Sequence, residues 1–302
     1  MAKKVLIIDE VHSSLATELR SLGFEVDEQP QIHPKDVLLK GYQGLVLRSK
    51  MALGASELAE TSLEFIARAG AGLDLIDLDF CTQKHIAVFS ANEGNRDAVA
   101  EHVIGQLITI ARKINTADAE VRSGVWNREG NRGWELQGKT IGIIGYGNMG
   151  QSLAKKLQGF DMQIMAYDKY APATHRIDDL YEHADIISLH IPLSAETNQL
   201  VNQSFLEKFK KSIVLLNSSR GAICSLEALA WGLSEGKLRG LALDVLPNEK
   251  LPTWTTAEKA LFEQIASHPA TLFSPHVAGW TTESYWKIND TLIEKIKAHY
   301  QL

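Results

Sequence analysis

The stretch from Lys139 to Asp168, KTIGIIGYGNMGQSLAKKLQGFDMQIMAYD, constrains the fold of this chain more than any other. Ile141, Ile143 and Ile144 make a short β-branched run that ends in Gly145-Tyr146-Gly147-Asn148-Met149-Gly150, three glycines at the spacing G-x-G-x-x-G. Leu153, Ala154 and Leu157 then share one side of a helix, with Lys155 and Lys156 on the other, and Gln163 to Tyr167 reads as a second strand. Each glycine has its own task. Gly145 turns the chain sharply, Gly147 clears the side chain where a pyrophosphate must approach the backbone, and Gly150 lets the helix lie close on the strand. The helix start, Asn148 and Met149 included, aims free N–H groups at the phosphates. Asp168 closes the second strand 168 − 150 = 18 residues after the last glycine, near the spacing of about 20 for the acid that bonds the adenosine ribose. An acid there favours NAD over NADP, because a 2′-phosphate would face a carboxylate.

Ahead of this unit, strand patterns at 5–9, 44–48, 64–67 and 86–90 alternate with helical or loop stretches, including a helix over about 13–22. After it, patterns at 185–192, 212–219, 240–245 and 271–276 join 139–145 and 163–168 to make six strands. Alternation of this kind predicts parallel sheets covered by helices on both faces, with ligands at the carboxyl ends of the strands. Arg48-Ser49-Lys50, Ala69 to Asp74 and Asn92 to Asn95 stand at such ends. Asn95 reads as the N-cap of a long amphipathic helix (Ala100, Val103, Ile104, Leu107, Ile108, Ala111) that links two domains. Glu101 and His102 read as its solvated start, and Asp74 and Asp77 as turn and cap residues. Residues 285–300 read as a closing helix that returns to the first domain.

With 302 residues, 45% apolar and 23% charged, the chain has the composition of an ordinary globular protein with room for two cores. A net charge of −6 and a pI near 5.9 argue against a nucleic-acid surface and leave small molecules as expected partners. The opening MAKKVLIIDE has too short an apolar run for a signal peptide, and the longest membrane candidate, 98–111, is broken by Glu101, His102 and Gln106. The expectation is a mature start, no membrane and a cytoplasmic setting. Cys81 and Cys224 lack metal or disulfide spacing and are expected to be inert thiols, with no metal site.

Polar residues gather at the later strand ends. Arg220 follows the fourth strand of the nucleotide half, Asp244 closes the fifth and His276 closes the sixth, with Glu249 five residues beyond Asp244. Removing hydride from an alcohol needs a base for the hydroxyl proton, a partner for that base and a cation for a carboxylate. Histidine, glutamate and arginine supply these in turn.

At these residues the sequence resembles the D-2-hydroxyacid dehydrogenase family over essentially its whole length. The shared motifs are Ala69-Gly70-Ala71-Gly72-Leu73-Asp74-x-Ile76-Asp77, Val99-Ala100-Glu101-His102, the glycine loop, His190-Ile191-Pro192, Asn-x-x-Arg-Gly at 217–221, Asp244-Val245-x-x-x-Glu249 and Pro275-His276. The resemblance implies two doubly wound parallel-sheet domains. A Rossmann NAD-binding domain (96–282) would be inserted into a flavodoxin-like substrate domain (1–95 plus 283–302). It implies Arg220, Glu249 and His276 as the catalytic set. NAD would be held by Gly145, Gly147, Asn148, Met149, Gly150, Asp168, His190, Pro192, Ser218, Ser219, Asp244 (on the nicotinamide amide), His276 and Gly279. Ala71 and Gly72 would offer backbone N–H groups to substrate beside Arg220.

Within the family the likeness is greatest to the phosphoglycerate dehydrogenases, because Arg48, Lys50, Asn95 and Arg128 match their phosphate contacts. That likeness implies oxidation of 3-phospho-D-glycerate in serine biosynthesis and a homodimer in which Arg128 reaches the neighbouring site. Two features depart from the pattern: Trp280 stands where a small residue is usual, and with Leu302 as its last residue the chain is expected to lack a C-terminal regulatory domain. Glyoxylate or hydroxypyruvate is the alternative substrate class. An NAD-sensing module like the C-terminal binding protein corepressors is the remote alternative.

Overall fold

The computed structural model describes residues 2–171 and 174–302. The chain divides into two compact units, Met1–Arg96 with Trp280–Leu302, and Asp97–Gly279.

The first unit opens with β1 (Lys4–Ile7), α1 (Ser14–Ser21), β2 (Glu25–Glu28), β3 (Gly44–Leu47), α2 (Ala55–Leu58), β4 (Phe65–Arg68), α3 (Leu78–Gln83) and β5 (Ala87–Ser90). Its five strands are all parallel, in the order β2-β1-β3-β4-β5. Alternate residues of the inner strands feed opposite faces, so the run Leu45-Val46-Leu47 is buried on both. Val5, Ile7, Val46, Phe65 and Ala67 meet Leu15 and Leu19 on one side, whereas Leu6, Ile8, Leu45, Leu47 and Ile66 meet Leu53, Leu58 and Cys81 on the other. Strand β2 has no counterpart in the sequence reading. Its residues are Glu-Val-Asp-Glu, mostly exposed at the sheet edge, so no apolar alternation marks it. Asp77 caps α3 as expected, accepting from the Phe80 N–H at 2.9 Å.

The long helix α4 spans Asn92–Arg112 and begins a turn before Asn95, which is therefore a helix residue and not the N-cap that the sequence suggested. The Ala91 N–H reaches the Gly70 carbonyl at 2.8 Å, fixing where the chain leaves β5. A Cβ on Gly94 would lie 2.7 Å from the Ile288 nitrogen. Packing thus sets the helix start, ahead of the residue that looked like a cap.

The second unit continues with α5 (Ile114–Arg122), β6 (Thr140–Ile144), α6 (Asn148–Leu157), β7 (Gln163–Tyr167), α7 (Ile177–His183), β8 (Ile186–Leu189), α8 (Gln203–Glu207), β9 (Ile213–Asn217), α9 (Leu226–Ser234), β10 (Leu238–Leu243), α10 (Thr256–Ala266) and β11 (Thr271–Phe273). Its parallel sheet runs β11-β10-β9-β8-β6-β7, so the order reverses between β6 and β8. That reversal is the switch point at which doubly wound sheets open a crevice. One face buries Ile141, Ile143, Val214 and Leu216 under Val103, Leu107, Leu153 and Leu157; the other packs Ile187, Leu189, Leu215 and Leu241 on Leu180, Phe205 and Leu229. Finally α11 (Thr282–Tyr300), capped by Thr281, returns to the first unit. There Leu292, Ile293 and Ile296 join the core over α1, and the Asn289 side chain donates to the His12 carbonyl at 2.8 Å. Among the described residues no helix is long and apolar enough to cross a membrane.

Candidate active site

The glycine loop has the geometry that its spacing implies. Gly145 sits at φ +96°, and a Cβ there would lie 2.3 Å from the His190 carbonyl oxygen. A Cβ on Gly150 would lie 2.1 Å from the Gly145 carbonyl oxygen, so the start of α6 is pressed onto the end of β6. Gly147 differs: nothing lies within 4 Å of the position its Cβ would take. That open ground, directly over an N-terminus with no side-chain cap, is what a pyrophosphate requires. Asp168 accepts the Tyr146 N–H on Oδ2 at 2.8 Å and the Tyr170 and Ala171 N–H groups on Oδ1 at 2.8 and 3.2 Å. Burial raises its pKa, but these three donors outweigh it and hold the carboxyl below the usual aspartate range. Ser218, just past β9, buries a hydroxyl oxygen with no partner among the described residues. Open space at Gly147, an orphaned hydroxyl at Ser218 and an anchored acid at Asp168 together fit a dinucleotide.

His190 follows β8, its Nε2 2.8 Å from the Ser188 hydroxyl, and burial of the ring pushes its pKa down to about 4. The Pro192 carbonyl accepts from the Thr197 hydroxyl at 2.7 Å, Asn148 and Met149 form the first turn of α6, and Gly279 ends the unit.

Three strand ends of the same sheet carry the candidate catalytic groups. After β9, fully buried Asn217 donates to the Arg220 carbonyl at 3.0 Å and accepts from the Ser219 N–H and hydroxyl at 3.0 and 2.8 Å, which shapes the turn bearing Arg220. Gly221 follows because a Cβ there would lie 2.0 Å from the backbone of Leu246. After β10, Asp244 is 1% exposed and holds the loop that follows β11. Its Oδ1 accepts from the Ser274 hydroxyl at 2.5 Å and the Val277 N–H at 3.0 Å, and its Oδ2 from the Ala278 N–H at 2.9 Å. Its own carbonyl takes the His276 N–H at 2.7 Å. Held in this way, His276 adopts φ +55°, a left-handed conformation rare outside glycine and common at functional sites. Its Nδ1 lies 2.9 Å from Glu249 Oε1 and 3.1 Å from Oε2, with both side chains about half exposed. His276 therefore stands in the loop three residues past β11, not at the close of the strand.

His102 corrects an expectation. It is no solvated helix-start residue: its Nε2 lies 2.9 Å from the Ser274 hydroxyl and 3.6 Å from Asp244. Ser274 donates to Asp244, so both its lone pairs are acceptors, one for the Gln106 amide at 3.1 Å and one for His102, which must carry its proton on Nε2. Glu101 is solvated as expected, paired with Lys156 at 2.9 Å.

In the first unit the candidate substrate residues also sit at carboxyl strand ends. Asp9, which the sequence reading did not single out, accepts the backbone N–H groups of Arg48, Ser49 and Lys50 on Oδ2 at 2.6, 3.1 and 3.1 Å. Arg48 is partly buried with its Cζ 4.2 Å from the centroid of the Trp280 ring. Lys50 turns its ammonium onto the carbonyls of Pro30 and Ile32. Those two carbonyls take up two of the three donors of the ammonium. Among the described residues no acceptor meets the N–H groups of Ala71 or Gly72. The amide oxygen of Asn95 is buried without a partner there too. Arg128 lies in the second unit, on the exposed stretch after α5.

Residues 104–278 match the model of the D-isomer specific 2-hydroxyacid dehydrogenase family, NAD binding domain, and the chain belongs to that family. It is 33% identical over 306 residues to a hydroxypyruvate reductase of Thermotoga maritima, covering 98% of each chain. It is 30% identical over 315 residues to a putative D-3-phosphoglycerate dehydrogenase of Schizosaccharomyces pombe, covering 97% of this chain and 66% of that one. The chain spans only about half to two thirds of the length of the D-3-phosphoglycerate dehydrogenases it matches. Among solved structures, an NAD-dependent formate dehydrogenase of Staphylococcus aureus in complex with NAD aligns with a TM-score of 0.79 at 26% identity, over 99% of this chain and 95% of that one.

Proposed function

We propose that this chain is an NAD-dependent oxidoreductase acting between D-2-hydroxy acids and 2-keto acids, with Arg220, Glu249 and His276 as its catalytic set. The observation that carries the reading is the His276–Glu249 pair at 2.9 Å, borne on a backbone that its surroundings force into φ +55°. In the oxidation direction His276 takes the hydroxyl proton on Nε2 while Glu249 faces the imidazolium that forms, and Arg220 holds the carboxylate. In reduction the imidazolium returns the proton to the carbonyl oxygen. NAD, when bound, supplies the hydride acceptor. The glycine loop, Asp168, Ser218 and Ser219 would hold it, with His190, Pro192, Asp244 and Gly279 near its nicotinamide end. Ala71, Gly72, Asn95 and Arg48 would receive the substrate.

The proposed substrate is 3-phospho-D-glycerate, oxidised to 3-phosphohydroxypyruvate; Arg48, whose guanidinium meets no acceptor among the described residues, supports a second anion on the substrate. Lys50, committed to Pro30 and Ile32, favours a second reading, the unphosphorylated hydroxypyruvate or glyoxylate. We place the enzyme in the cytoplasm, supported by two buried free thiols, Cys81 and Cys224, and as a homodimer through the region of Arg128. The deciding experiment follows NADH oxidation with 3-phosphohydroxypyruvate, hydroxypyruvate and glyoxylate, in wild type and His276→Asn. Turnover of at least one keto acid, lost about 10²–10⁴-fold in His276→Asn with NADH affinity kept, is expected. No turnover on any of them with tight NADH binding would favour a binding module. A higher kcat/KM for the unphosphorylated acid would remove the phosphoglycerate assignment alone.

A further inference from the structure

Arg48 stands one residue past β3, and no hydrogen-bond acceptor among the described residues meets its guanidinium. Its Cζ lies over the Trp280 ring, 4.2 Å from the centroid. Trp280 is 51% exposed and leans on Tyr285 (5.3 Å, 57°), whose ring in turn meets His12 edge-on at 5.6 Å. The three backbone N–H groups on Asp9 lock the turn that carries Arg48. Burial works against the Arg48 charge, whereas Tyr285, Asp9 and Glu10 favour it. The neighbouring Lys50 ammonium is committed elsewhere.

A guanidinium stacked on an indole loses freedom to rotate but keeps its in-plane N–H groups, and those groups match the oxygens of a carboxylate, sulfonate or phosphate. A flexible arginine would pay the ordering entropy only on binding. We infer that Trp280 is a specificity-determining residue that fixes Arg48 as the receptor for an oxyanion at the end of the substrate remote from the reacting carbon. The inference rests on the reading of the chain as a 2-hydroxyacid dehydrogenase with a second anion on its substrate. It explains a bulky aromatic at a position where the family resemblance leads one to expect a small residue.

The test measures kcat/KM for 3-phosphohydroxypyruvate and for oxaloacetate, whose distal group is a carboxylate, each relative to hydroxypyruvate, in wild type, Trp280→Ala, Trp280→Leu and Trp280→Phe. Trp280→Ala and Trp280→Leu are expected to lower at least one of these two ratios by about tenfold, and Trp280→Phe to restore most of it, because leucine keeps an apolar side chain but no π face. In Arg48→Ala, adding Trp280→Ala should lower the ratio no further, as coupled residues require. Unchanged ratios in Trp280→Leu, equal losses on all three substrates, or full additivity with Arg48→Ala would each overturn the inference. The wild-type ratio tests the second-anion reading separately: a value below one for both acids with a distal anion rejects that reading, while the response of the ratio to Trp280 still decides the role of the tryptophan.

Discussion

At the scale of single residues, His190 shows how position in the fold changes a side chain's chemistry. Its ring sits against Ser188, which is 1% exposed, and burial lowers its pKa to about 4. In the unfolded chain a histidine protonates near 6.5. Between those values the unfolded state binds a proton that the folded state refuses, so stability is complete above about 6.5 and declines as pH falls toward 4. We predict that thermal midpoints followed from pH 7 to 4.5 fall less steeply in His190→Asn than in wild type; parallel curves would mean that His190 does not contribute to the acid limb. The candidate catalytic residues Arg220, Glu249 and His276 were legible because they follow strand patterns and recur in family motifs. Asp9 was not, although it too follows a strand, because its oxygen serves backbone donors from another strand end. The partners of Lys50 were not legible for a related reason: no local pattern reveals that Pro30 and Ile32 lie within reach of its ammonium.

At the scale of elements, Ser274 joins α4 to the ends of β10 and β11. It gathers His102 and Gln106 from the helix and passes one hydrogen bond to Asp244, which orders residues 276–278. Removing the hydroxyl leaves a buried carboxylate short of a donor, a cost of about 1.5–3 kcal/mol for a charged hydrogen bond. It also frees the loop that holds His276. Ser274→Ala is therefore predicted to unfold at lower denaturant concentration and to lose about 10–100-fold in kcat, since misplacement by about 1 Å costs that much. A fall in stability with kcat intact would show that the loop keeps its shape without Ser274. The periodic pattern of α4 identified the helix but not its start at Asn92, and the polar edge strand β2 left no pattern. In both cases neighbours, Ile288 beside Gly94 and β1 beside β2, decide what local propensity leaves open.

At the scale of the whole molecule, the proposed homodimer has a candidate surface. Ile114 and Val121 on α5, with Val125 and Trp126 beyond it, are all at least 48% exposed, and Trp126 reaches 85%. Four large apolar side chains within 13 residues (114 to 126) exceed the scattered exposure of an ordinary surface. We predict that Trp126→Glu with Val121→Glu lowers the molar mass found by light scattering from that of a dimer to that of a monomer, near 33.4 kDa. A wild-type chain already monomeric at micromolar concentration would remove the dimer.

The sequence by itself determined the parallel α/β class, the dinucleotide loop and the chain order of the candidate catalytic residues. Hydrophobic period, glycine spacing and strand-end position are local properties written in consecutive residues. Tertiary structure alone decided that Asp244 is a buried hub, that His102 serves it, that His276 sits in a left-handed turn and that Trp280 covers Arg48. Each of these joins residues far apart in the chain. A hydrogen bond or stacked pair depends on which strand ends the fold brings side by side, and no spacing within one segment encodes that.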